Sequence, residues 1–128
     1  MPPPAGLSTV NDPANASDPD VLAYLDFMES LGKGDLVTTA TAGWSAAEVT
    51  VAIIKQAQAS PEGLTRASII NAARNFDYEP SLARAGVHYK TNGLEDAFPA
   101  ESLQVLQYDA TAQTWTEIGE LVTKFESS

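Results

Sequence analysis

A chain of 128 residues with 44% apolar and 8% aromatic side chains has enough material for one modest core and is too aromatic for a wholly disordered polypeptide. Seventeen acidic against seven basic residues give a net charge of −10, spread along the chain, which repels nucleic acid and anionic lipid and argues against both as partners. No cysteine is present, so disulfides, thiolate chemistry and cysteine-based metal sites are excluded together.

Residues 1–17 open on three consecutive prolines followed by Gly, Ser, Thr, Asn and Asp, a composition of extended, solvated backbone. A flexible lead-in is predicted there, with Leu7 and Val10 as its only sizeable apolar anchors besides Met1. Neither a basic n-region nor an apolar h-region opens the chain, and no run reaches the length expected of a bilayer span.

Asp18-Pro19-Asp20 is a helix opener: the aspartate caps, proline occupies the first helical position, and acidic charge meets the positive end of the macrodipole. A stripe of Val21, Leu22, Leu25 and Met28, with Leu31 as an optional last member, follows, flanked by Tyr24 and Phe27, and Gly32 and Gly34 stop the helix. Residues 35–42, rich in threonine and small side chains, suit either a short strand or a loop.

Residues 43–76 read as two apolar-striped helices joined by a turn at Pro61-Glu62-Gly63. In the first helix Val49, Ala52, Ile53 and Ala57 share a face, with Trp44 at its mouth and Ser45 as its cap. Thr65 caps the second, whose predicted buried stripe is Ile69, Ile70 and Ala73.

Pro80 ends the helical region, because it disfavours a helical residue before it. Val87-His88-Tyr89-Lys90 alternates like a half-buried strand, Asn92-Gly93 marks a turn, and Phe98 is the expected anchor of a polar connection. Leu103–Tyr108 and Trp115–Ile118 form a β-hairpin with a loop of about five or six residues. Leu121 and Val122 either extend its second strand or begin a terminal turn.

Chemistry-bearing patterns are sparse. His88 is the single histidine, so no zinc ligand set can be assembled from His and Cys. The carboxylate pairs Asp18/Asp20, Asp77/Glu79 and Glu95/Asp96 fall in caps and turns, where water screens them, and phosphate-binding or calcium-loop motifs are missing from the sequence. A non-enzymatic protein without cofactor or metal is the expectation.

The order DPDVLAYLDFMESLG, GWSAAEVTVAIIKQAQ, LTRASIINAARNF, GVHYKTNG and LQVLQYDATAQTWTEIG resembles the carboxy-terminal part of type I periplasmic solute-binding proteins, the leucine/isoleucine/valine-binding type of receptor. The likeness runs over about residues 18–120. It implies an α/β fold of three helices, a C-terminal hairpin and short strands over residues 18–128, forming a portion of a two-lobed receptor whose other lobe lies outside this chain. It also implies capture of a small polar solute such as an amino acid by hinge closure, a membrane permease of an ABC importer as partner, and a periplasmic or extracellular, membrane-associated location. Within the chain the ligand contacts so implied are Trp44, with Thr41 and Ser45 beside it. Trp44 departs from the tyrosine more usual in the family, and a chain holding only part of the cleft is expected to bind weakly or not at all. The rival expectation is a free-standing acidic α/β interaction module that engages a basic partner through helix 19–31 or the hairpin edge.

Overall fold

The computed structural model describes residues 10–123, in which three helices are followed by two small antiparallel sheets. Helix α1 spans Pro19–Ser30, α2 Val37–Gln58 and α3 Arg66–Arg74. Strands β1 (Asp77–Tyr78) and β2 (Tyr89–Lys90) pair with each other, as do β3 (Leu103–Asp109) and β4 (Thr114–Val122). The chain is therefore of mixed α/β class, as its composition and patterning imply.

Local chemistry accounts for most boundaries. The Asp18 carboxylate accepts from the backbone N–H groups of Asp20 and Val21, satisfying two of the donors that the first turn of α1 leaves orphaned. Gly32, at φ 65°, ends that region in the left-handed conformation natural to glycine. At α3, Thr65 and Ser68 form a reciprocal capping box, each side chain receiving the other's backbone N–H.

Helix α2 differs from the sequence expectation. Residues 35–42 are neither strand nor loop: Gly34–Leu36 make a 3-10 turn that runs straight into α2, and Gly43 lies inside the helix. The 25-residue helical stretch Gly34–Gln58 is, by length and composition alone, sufficient to cross a bilayer, a property hidden when the segment is divided at Gly43. Two of its threonines turn their hydroxyls onto their own helix, Thr41 to the Thr38 carbonyl and Thr50 to that of Ala46, so neither leaves its donor unused.

Two packing centres result. Val21, Tyr24 and Met28 of α1 bury with Val10 and Leu82, and Leu25, Val37, Ala40 and Trp44 close around them. Tyr24 is fully buried and donates its hydroxyl to the Val37 carbonyl, while Leu22 is 50% exposed, so the stripe is centred one position away from the one predicted. Elsewhere α2 and α3 lie against each other, and Ala57 of α2, Ala72 of α3 and Phe76 just beyond it are each buried. Ile69 and Ile70, expected in the core, are instead more than a third exposed, and the buried residues of α3 are the small ones, Ser68 and Ala72.

The lead-in is partly built into the fold. Val10 is buried, Pro13–Asn15 form a 3-10 turn capped by Asp12, and the Asp12 carboxylate also accepts from Trp115 N–H at 3.1 Å. Val10 and Asp12 are thus packed against the fold while Asn11, Pro13, Ala14, Ala16 and Ser17 stay exposed, and Leu7 lies outside the described residues. Phe98, the predicted anchor, is 74% exposed. The β1–β2 pair docks on the end of α3 through Thr91, whose hydroxyl donates to the Ala73 carbonyl, and through Gly93 N–H to the Arg74 carbonyl at 2.7 Å.

In the hairpin, loop 110–113 is four residues long and Leu121 and Val122 extend β4. The register slips between Leu103↔Val122 and Val105↔Ile118, where Gly119 takes φ 71°. Gln104, nearly buried, presents its amide N–H₂ to the carbonyls of Val105, Ile118 and Gly119 across this bulge.

Candidate functional site

Length mismatch between two helices leaves a groove on α2. At 1.5 Å per residue α1 is about 18 Å long and α2 about 33 Å, so α1 covers only the amino-terminal half of the α2 face that carries Val37, Ala40 and Trp44. Beyond its reach the same face continues as Ala47, Glu48, Val51, Ala52 and Lys55. Tyr78, on β1, forms the opposite wall, and these residues with Trp44 enclose about 330 Å³.

Two polar contacts hold the groove's head in place. The indole Nε1 of Trp44 donates to Ser81 Oγ at 3.1 Å, and Ser81 N–H donates to Glu48 Oε2 at 3.0 Å. One residue of the loop after β1 thus orients an aromatic wall and a carboxylate a helical turn apart. Tyr24 and Phe27 both meet Trp44 edge-to-face with ring centroids 5.3 Å apart, which fixes the indole from the α1 side. Burial raises the Tyr78 phenol pKa, and the carboxylates of Glu48 and then Asp20 push it further up. That end of the groove is consequently negative, whereas Lys55 puts an ammonium two helical turns away. Among the described residues Lys55 takes part in no ion pair.

Of the three residues singled out from sequence, Trp44 alone lines this groove. It sits within α2, not at the helix mouth, because the helix begins at Val37. Ser45 does not cap: it is fully buried about 100° around the axis from Trp44, and its hydroxyl has no partner among the described residues. Thr41, 2% exposed, lies one turn before Trp44 and donates within its own helix. Sequence reasoning did not single out Glu48, Lys55, Tyr78 and Ser81. The spacing 44, 48, 51, 55 shows one helical face carrying Trp, Glu and Lys, and that signal was available. Nothing local announces that Tyr78 and Ser81 fold back onto it.

A larger and less open cleft of about 790 Å³ lies beside β1 and β2. Here His88 Nδ1 is 2.7 Å from Asp77 Oδ1, its Nε2 is 4.0 Å from Glu79 Oε2, and Lys90 Nζ is 3.8 Å from Asp77 Oδ2. The Asp77/Glu79 pair noted in the sequence is thus bridged by an imidazole in a solvent-facing network. Its members are about half exposed, so their charges offset one another under strong screening. Among the described residues no group of three or more His, Asp or Glu side chains is arranged to hold a metal ion. Comparison with protein-family models, with curated proteins and with solved structures finds no match.

Proposed function

We propose that this chain is part of the extracytoplasmic solute-binding subunit of an ABC importer, a portion of a two-lobed periplasmic-binding fold that captures a small polar molecule such as an amino acid. The observation that carries the reading is the groove at Trp44. Its lining is apolar between Trp44, Val51, Ala52 and Tyr78, with the Glu48 carboxylate held by Ser81 beside the indole, a setting that suits a small solute bearing an ammonium group and an apolar side chain. Uncovered apolar surface supports it as well. Val51 and Ile54 on α2, Ile69 and Ile70 on α3, and Val105 and Ile118 on the hairpin are each more than a third exposed, and in the resemblance such faces pack on the remainder of a larger receptor. Hinge closure would then work through differential contact: solute on the Trp44 groove touches a second lobe only in the closed state and stabilises that state. The partner is a membrane permease and the location periplasmic or extracellular.

The test is a proton–nitrogen correlation spectrum of the chain titrated with individual amino acids and other small zwitterions. Shifts at the Trp44 indole N–H and the Tyr78 amide support the reading. A dispersed spectrum that no solute perturbs refutes it, and points to the second reading, an acidic interaction module. That alternative is favoured by the edges of the β3–β4 hairpin, which pair with no further strand among the described residues and suit strand addition by a partner.

A further inference from the structure

We propose that the uncovered half of the α2 face binds the same face of a second copy of this chain, with the two helices antiparallel. The inference goes beyond the solute reading and does not rest on it. Val37, Ala40, Trp44, Ala47, Val51 and Ile54 follow one another at alternating steps of three and four residues, the spacing of a seam that a single neighbouring helix can cover. The first three pack against the core cluster to which α1 contributes Val21, Tyr24 and Met28. Ala47, Val51 and Ile54 continue that seam exposed to solvent, the last two at 49% and 40%. One length of the seam is used within the chain and the next is open.

Charge decides what covers the open length. Glu48 and Lys55 flank it on one edge, each directly after a seam residue, Ala47 and Ile54. In an antiparallel pair the residues of one edge face the same edge of the other helix. With Val51 set against Ile54 of the second copy, Glu48 lies within two residues of axial rise, about 3 Å, of the second copy's Lys55. The two-fold axis repeats the pair in reverse, so this edge is its own complement. A parallel pair would set Glu48 and Lys55 against the uncharged Gly43 and Thr50 instead. Lys55 is exposed and in no ion pair among the described residues, and Glu48 engages Ser81 N–H through one oxygen, Oε2. An open seam of about two helical turns is short, so the association is weak and concentration-dependent. Glu48 serves both partners, and a solute in the groove therefore excludes the second copy.

The experiment is sedimentation velocity of the full chain without solute, from about 10 µM to about 1 mM, a range that brackets weak association. It is repeated on Lys55→Glu, Glu48→Lys, the two combined, and Val51→Lys, with circular dichroism verifying each fold. The native chain is expected to dimerise as concentration rises, and Val51→Lys to stay monomeric. Lys55→Glu and Glu48→Lys should each weaken the dimer about tenfold, although they move the net charge in opposite directions, because each sets like charges together twice. The combined variant should return to within about threefold of native affinity, since exchanging both charges leaves the edge complementary to itself. Glu48→Lys also gives up the bond to Ser81, so if it misfolds the exposed changes Lys55→Glu and Val51→Lys decide. A native chain monomeric throughout overturns the dimer and leaves solute capture standing. Lys55→Glu or Val51→Lys without effect, Glu48→Lys tightening the dimer, or a folded combined variant no better than the single ones overturns this interface.

Discussion

Replacing Gly43 by alanine tests the continuity of α2, on which the position of Trp44 depends. Glycine inside a helix is about 1 kcal/mol less favourable than alanine, because its unfolded backbone has more freedom to lose. At Gly43 a new Cβ meets nothing within 4 Å, so no clash opposes the gain. The expected effect is a stabilisation of about 0.5–1 kcal/mol, which for a domain of this size raises the melting temperature by about 2–4 °C. Gly32→Ala provides the internal control. Its Cβ also enters open space, but Gly32 holds φ 65°, so alanine there costs about 1 kcal/mol. Two chemically identical changes should therefore move the melting temperature in opposite directions, as followed by far-ultraviolet circular dichroism. If Gly43→Ala is neutral or destabilising, α2 breaks near Gly43 and the groove as described does not form.

Trp44→Ala should cost about 2–4 kcal/mol in urea denaturation through loss of its contacts with Tyr24 and Phe27, whereas Trp44→Phe should cost about 1 kcal/mol, chiefly the bond to Ser81. The phenols of Tyr24, Tyr78 and Tyr89 all have folded-state pKa values raised above the ordinary 10.0, with burial the leading cause at each. Their stabilisation is complete below pH 10 and disappears as pH climbs through the folded-state values, so melting temperature should fall in that alkaline range and fall less steeply in Tyr24→Phe. Asp109 behaves oppositely: N–H groups of Ala112 and then Thr111 lower its pKa below 3.8, and its contribution, present above that pH, is lost on acidification through the folded-state value. Gln113, the one non-glycine residue with positive φ among those described, should yield about 1 kcal/mol of stability on replacement by glycine, measured by thermal denaturation.

Legibility in the sequence followed the range of the interaction that decides each feature. Asp18, Thr65 and the alternation around Trp115 announced α1, α3 and the hairpin because caps and strand patterns act over a few residues. The start of α2 was hidden because threonine and glycine are poor helix formers, and what holds residues 37–44 helical is distant: Tyr24 bonding the Val37 carbonyl, and α1 packing over Ala40 and Trp44. The burial of Leu82 and Ser45 and the exposure of Ile69 and Ile70 are likewise settled by which helix faces meet, not by the stripe on one helix. In the groove, Trp44 was legible by size, and Glu48 and Lys55 by spacing. Ser81 and Tyr78 reach it only after the chain has turned back at Phe76, a step no local pattern encodes.

The attachment of the hairpin sets the order in which the molecule opens. Polar ties to the rest of the fold include Asp12 to Trp115 N–H and Arg84 to Glu117 at 2.9 Å, while half-exposed Val105, Tyr108 and Ile118 contribute little burial. Such an arm is a cooperative unit of low opening free energy, and its amides will exchange hydrogen ahead of those in α2. Molar salt, by shrinking the screening length to about 3 Å, weakens both charged ties while leaving the apolar contacts of the helices intact. Detachment of the arm frees the Asp12 carboxylate and the strand edges while Val10 stays packed against α1, so association with other chains is expected to begin at the hairpin with the helical half still folded.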